Sequence, residues 1–352
     1  MGLGEAIAEL RRSVMVLTSG HLVWFALFAA IAAAGTWAAR AYALRLRLLD
    51  EPGERRSHRV ATPRGGGIAI VVAFMVAIAA MLLRQPSDVV LLGCAGLGFL
   101  MVAAVGWVDD HRPLSPWSRL VVHAVAAGWL AVGFYLSGAG GEIALIALFS
   151  ALALINVWNF MDGIDGMAAS QAVLVTAALI VLSGNGVLAI HLGLALIASV
   201  LGFLPFNFPR ARIFLGDVGS GALGYALALM VGISLGTAQR ATWLLAVLPL
   251  SAFMLDAGLT LLSRILRGER WWTAHVEHAY QRWVQRTGDH RPVTVGYAVW
   301  TLAGGLCMAW LLGKDHRGMV MAVLAWLALG STIWYWLRRR PGIDGTEERM
   351  GA

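Results

Sequence analysis

Residues 89–108, VVLLGCAGLGFLMVAAVGWV, run without a charge and are followed at once by Asp109, Asp110, His111 and Arg112. A bilayer core takes roughly 20 apolar residues as a helix, so this stretch reads as a membrane span that ends in carboxylates. The rest of the chain repeats the pattern. Of 352 residues, 59% are hydrophobic and 13% charged, against about 25% charged in an ordinary soluble domain, and the mean hydropathy is +0.72. Soluble, fibrous and disordered classes are set aside on those grounds.

Working outward, apolar runs at 22–44, 68–83, 89–108, 117–137, 142–158, 168–183, 188–206, 219–237, 242–263, 294–313 and 318–337 predict an all-α polytopic membrane protein with about 11 transmembrane helices. The second, fifth and sixth runs are short. Assigning the connections alternately to two sides puts twenty of the 27 Lys and Arg on one side and six on the other. The positive-inside rule then places the long loops in the cytosol, the N-terminus outside and the C-terminus inside. The net charge of +7 is therefore a topology signal, and nucleic acid is not an expected partner. Cys94 and Cys307 lie in apolar runs, leaving no disulfide framework or thiolate metal site. A single membrane-embedded domain over residues 1–352 is expected, with active-site loops at 45–67, 109–116, 159–167, 207–219 and 264–293.

An Asp at mid-bilayer costs about 2.5–3.5 kcal/mol, so membrane proteins use ionisable groups sparingly. Here they gather on the predicted inner side: Asp109-Asp110 after the third run, Asp162 and Asp165 after the fifth, and Asp217 after the seventh. Taken singly, each could be a helix cap or a tight turn. Together they form a set of carboxylates that requires cations, and oxygen-only ligands favour Mg²⁺, with Mn²⁺ as the alternative. That points to phosphate chemistry. In the first inner loop Arg55, Arg56, His58, Arg59 and Arg64 supply anion donors, and Gly65, Gly66 and Gly67 would let backbone approach a phosphate. In the last, His275, His278 and Arg282 are spaced i, i+3, i+7, which a helix would align as an anion-binding arc. Asp256, two turns inside the ninth span, is a further site candidate, with Arg264 or the metal as its expected partner.

These motifs resemble, in order, the polyprenyl-phosphate N-acetylhexosamine-1-phosphate transferase superfamily, glycosyltransferase family 4. That superfamily includes O-antigen-initiating enzymes and the translocase that forms the first peptidoglycan lipid intermediate. The specific pieces are N-x-x-N-x-x-D-G-x-D-G at Asn156–Gly166 and F-x-G-D-x-G-S at Phe214–Ser220, and the likeness covers roughly residues 45–285.

The resemblance implies transfer of HexNAc-1-phosphate from a UDP-HexNAc to undecaprenyl phosphate, releasing UMP, at the cytoplasmic face of a bacterial inner membrane. By the same resemblance Asp109, Asp110 and Asp217 are catalytic, with Asp217 and Asp110 on the metal. Asn156, Asn159, Asp162 and Asp165 line the nucleotide and diphosphate pocket, and His275, His278 and Arg282 bind the diphosphate. Arg56 stands where many members carry Lys, a departure since the two bind anions differently; His58 joins it as a substrate contact. Partners are the two substrates and membrane lipid, with a homodimer compatible. The acceptor phosphate is largely dianionic at neutral pH, so no strong base is needed; direct attack is expected rather than a phospho-enzyme, because it takes one inversion and exposes no acyl phosphate. An intramembrane prenyltransferase or a lipid-linked transporter is the alternative; the first wants D-x-x-x-D spacing and the second wants polar groups at mid-depth.

Overall fold

The computed structural model describes residues 18–51, 60–184, 186–270, 272–273 and 275–339. Each expected run is a helix. In chain order these are α1 Ser19–Arg45, α2 Ile68–Arg84, α3 Val89–His111, α4 Pro116–Leu136, α5 Gly141–Phe160, α6 Met167–Leu182, α7 Val187–Asn207, α8 Asp217–Thr237 and α9 Val247–Leu266. A short α10 at Ala279–Thr287 precedes α11 His290–Leu311 and α12 His316–Arg338. The first long loop adds a small departure from an all-helical chain, an antiparallel pair of β1 Leu49–Asp50 with β2 Thr62–Pro63.

Among the described residues nine helices are long and apolar enough to cross a membrane; α2 and α6, at 17 and 16 residues, are shorter. The fifth run, short in sequence, is not short in space. Asn156 donates its amide N–H to the Leu152 carbonyl one turn back, at 2.7 Å, so a polar side chain there need not end the helix. α5 continues to Phe160 and carries Asn159 on its last turn.

α8 lies at the centre. Every residue from Val218 to Leu235 is buried, as expected of a helix that is apolar or small all round. It packs against α3, α5 and α6; α1, α2 and α7 form one flank, while α9, α11 and α12 continue from α6 on the other. Within a bilayer such packing relies on van der Waals contact and on interhelical hydrogen bonds averaging about 0.6 kcal/mol each. Thr301 Oγ1 donates to Gln171 Oε1 between α11 and α6, and the indole N–H groups of Trp300 and Trp326 both donate to Ser251 Oγ.

The start of α2 touches the start of α8. A Cβ on Gly67 would lie 2.2 Å from Gly219 Cα, so only glycine allows that approach. The neighbouring backbone pairs in extended fashion: Gly66 N–H with Phe214 O at 2.9 Å, Gly67 N–H with Leu215 O at 2.8 Å, and Phe214 N–H with Pro63 O at 2.8 Å. The amides of Gly66 and Gly67 are thus engaged by carbonyls, contrary to their expected use on phosphate. Their small size serves packing instead.

Candidate active site

Three helix ends meet. α3 closes with Asp109 and Asp110, α5 with Asn159, and α8 opens with Asp217. The two oxygens of Asp110 accept the N–H groups of Asp217 and Val218, each at 3.1 Å. An anionic acceptor satisfies the free amides of a helix N-terminus and complements its dipole, and here it fixes where Asp217 stands.

Asp109 and Asp217 then face one another, with their carboxylates within hydrogen-bonding reach. Arg119, on the first turns of α4, spans both, with Nη1 2.8 Å from Asp109 and 3.6 Å from Asp217. The Leu114 N–H donates to Asp109 at 2.5 Å. Asn159 Nδ2 lies 2.5 Å from Asp217 Oδ1 and 3.1 Å from Ser220 Oγ. Arg64 donates to the carbonyl of Asp110.

Two adjoining carboxylates share a proton or a cation, and Arg119 brings one positive charge to the pair. Among the described residues no three His, Cys, Asp or Glu side chains form a metal cage of their own. Mg²⁺ requires no such cage, since it takes one or two carboxylates and completes its shell with water and substrate phosphate. The Asp109–Asp217 pair fits that habit, and the Asp217 side chain is 33% exposed. Asp110, also expected on the metal, gives one lone pair of each oxygen to the start of α8.

Asp162 lies in the field of this group and accepts no hydrogen bond among the described residues. Removal from water, and then the charges of Asp217, Asp110 and Asp165, push its carboxyl well above the usual carboxylate range. Asp165 turns elsewhere. Its Oδ2 accepts the Ala211 N–H at 3.1 Å, its Oδ1 is 3.4 Å from His290 Nδ1, and Thr294 donates to its carbonyl. There it lines a cavity of about 470 Å³ with Phe214, Arg210, His290 and Arg291. Asn156, bonded within its own helix, is not brought into the group.

The histidine loop departs from its expected form. α10 begins at Ala279 with His278 as N-cap, so His275, His278 and Arg282 do not share one helical face. The two imidazoles meet through the turn, 4.9 Å between ring centres, while Arg282 reaches Gln285. Burial, and then the neighbouring His278 and Arg264, bring His275 down to about 4. Between the histidines, Glu277 accepts from Arg264, Arg267 and Arg338. Its partial burial opposes ionisation, and the three guanidinium groups outweigh that and hold it below the usual range. Arg56 and His58 fall outside the described residues.

Sequence reading assigned no role to Arg119, Ser220 or His290. Arg119 had a signal, a cation one turn past the Ser115 cap that returns the chain to Asp109; Ser220 closes the F-x-G-D-x-G-S motif without a role of its own, and His290 had no signal.

Residues 92–235, which include the Asp109–Asp110 turn, the Asn159–Asp165 segment and Asp217, match the sequence model of glycosyl transferase family 4. Over that segment the chain is similar to that family. It is 28% identical, over 99% of its length and 93% of the relative's, to the decaprenyl-phosphate N-acetylglucosaminephosphotransferase of Mycolicibacterium smegmatis. It is also 28% identical to the probable undecaprenyl-phosphate N-acetylglucosaminyl 1-phosphate transferase of Bacillus subtilis, over 71% of this chain and 73% of that one. A phospho-N-acetylmuramoyl-pentapeptide-transferase of Synechocystis is 32% identical over 51% of this chain and 54% of its own. Asp256, His275, His278 and His290 lie beyond the matched segment.

Proposed function

We propose that the protein transfers HexNAc-1-phosphate from a UDP-HexNAc to a polyprenyl phosphate, undecaprenyl phosphate in the first place, releasing UMP. The observation that carries this reading is the Asp109–Asp217 pair with Arg119 across it, a place where two phosphate groups and a divalent cation can meet. The relatives' names support the reaction class. The lipid product would start an O-antigen or another cell-envelope polysaccharide.

Each side chain has a task. Asp109 and Asp217 would hold Mg²⁺, or Mn²⁺, which supplies charge neutralisation on the diphosphate. Asn159 fixes the rotamer of Asp217, and Asp110 fixes its backbone. Arg119 orients the acceptor phosphate and offsets its charge. An oxygen of the lipid phosphate attacks the donor's β-phosphorus. The bond from that phosphorus to the bridging oxygen breaks, and UMP departs with the oxygen and its electrons. Because the acceptor is already a dianion, no strong base is required, and catalysis rests on alignment and neutralisation. The nucleoside suits the cavity at Asp165, where Phe214 offers a ring and Arg210 and Arg291 offer donors. His275, His278 and Arg282 stand on the donor side.

The inner-side excess of Lys and Arg supports eleven crossings, with the N-terminus outside and this site facing the cytoplasm of a bacterial inner membrane. The test uses purified protein in nanodiscs, offered UDP-GlcNAc, UDP-FucNAc and UDP-QuiNAc with undecaprenyl or decaprenyl phosphate. UMP release that needs both the lipid and Mg²⁺ supports the reading. No release from any pairing overturns it.

A further inference from the structure

We propose that Asp256, buried in α9, is a positioning residue that holds His278 against the donor side of the active site; this rests on the function proposed above. Asp256 is 2% exposed. Its Oδ1 accepts from Ala279 N at 2.8 Å and Thr260 Oγ1 at 3.3 Å, and its Oδ2 from Tyr280 N at 3.1 Å and Tyr297 Oη at 2.6 Å. Arg264, its expected partner, is engaged elsewhere, by Glu277 at 2.7 Å and Glu269 at 3.1 Å.

A carboxylate at this depth needs compensation. It comes from the N-terminus of α10 and from His278, whose Nδ1 lies 3.5 Å from Asp256 Oδ1. That separation is longer than a formed hydrogen bond, and His278 Nδ1 has no other partner among the described residues. With Nδ1 turned to Asp256, Nε2 is the nitrogen left for a ligand. The imidazole is 4% exposed and lies near-parallel to the rings of Phe160 and Tyr280, at 6.4 and 5.7 Å between centres. The Tyr280 hydroxyl donates to the Phe160 carbonyl at 3.2 Å, two residues before Asp162. His278 is thereby tied to the chain that carries Asn159 and Asp162.

Asp110 and Asp256 work alike. Each accepts the first two N–H groups of a helix, and each thereby sets a functional residue at that helix start, Asp217 in one case and His278 in the other. Catalytic contacts that are long in the free enzyme tighten when substrate binds. On donor binding the Nδ1–Oδ1 contact closes into a charge-assisted hydrogen bond.

The test measures initial rates of the full chain in nanodiscs over a matrix of undecaprenyl phosphate and whichever of the three UDP-HexNAc donors is turned over. Wild type, Asp256→Asn, His278→Ala and the double variant are compared. Loss of a hydrogen bond to a charged group costs about 10–100-fold, expected in the donor KM, with the lipid KM nearly unchanged. The double variant should be no worse than His278→Ala alone, since Asp256 acts through that ring. Independent, multiplying effects, or equal losses for both substrates, overturn the proposal. Should Asp256→Asn fail to fold, Tyr297→Phe takes its place in the same cycle and is judged by the same criterion. A wild type that turns over no donor overturns the underlying function rather than this coupling.

Discussion

Oδ1 of Asp110 accepts the backbone N–H of Asp217 at 3.1 Å, so one carboxylate builds the helix start that presents another. The two neighbours Asp109 and Asp110 thus have separate duties, and variants should separate them. Asp110→Ala leaves the N–H groups of Asp217 and Val218 without acceptors, at about 1–3 kcal/mol for each buried donor. Its Tm in detergent should fall along with activity. Asp109→Asn should lose activity while keeping a Tm near wild type; equal Tm losses in the two variants would contradict the division.

Asn159 should act through Asp217. Its amide lies 2.5 Å from Asp217 Oδ1, and losing such a supporting contact weakens metal affinity about 10–100-fold. In Asn159→Ala the Mg²⁺ concentration for half-maximal activity should rise, and added Mg²⁺ should restore part of the rate. An unchanged Mg²⁺ titration would separate Asn159 from the cation.

His275 ties stability to pH. Its value drops from 6.5 to about 4 on folding, so between those two values the unfolded chain binds a proton that the folded chain does not. Stability from this group is therefore present above pH 6.5 and is lost as the pH falls toward 4. His275→Gln should flatten the decline of Tm across that window relative to wild type. Parallel declines would mean that His275 titrates normally.

Glu277 is the anchor of the histidine loop. Removing its charge leaves Arg264, whose side chain is 6% exposed, with Glu269 as its one carboxylate partner, beside the Arg270 carbonyl and the Thr273 hydroxyl. Broken buried pairs cost about 3–5 kcal/mol, and the partial exposure of Glu277 brings the expectation for Glu277→Gln to about 2 kcal/mol. Limited trypsin digestion should cut the 267–270 segment faster than in wild type. An unchanged cleavage rate and Tm would make the arginine cluster a surface ornament.

The helices were legible because twenty-residue apolar runs admit few other readings in a membrane, and all eleven expected runs are helices. Asp109, Asp110, Asp162, Asp165 and Asp217 were legible as a set because they break apolar runs on one predicted side; Asp109, Asp110 and Asp217 meet as expected, whereas Asp165 turns to Ala211 and His290. What sequence could not distinguish was a carboxylate facing substrate from one capping a helix. Asp110 and Asp256 look like site residues in one dimension, and it takes the third to find backbone N–H groups in front of them. The glycines at 65–67 present the same ambiguity, because close approach to a phosphate and close approach to another helix call for the same residue. His275 and His278 were expected on one helical face, yet the cap supplied by Asp256 starts that helix after them. Arg119 went unassigned because an arginine at a predicted cytoplasmic boundary already had an explanation in topology.

The most direct measurement follows the phosphorus. Purified protein receives Mg²⁺, undecaprenyl phosphate and a UDP-N-acetylhexosamine labelled in its β-phosphate, and the organic-soluble lipid fraction is counted. The label should enter the lipid in step with UMP release, and Asp217→Asn, still folded, should transfer none. Label that stays water-soluble while UMP is released, or transfer that survives in Asp217→Asn, would contradict a sugar-phosphate transfer centred on Asp109 and Asp217.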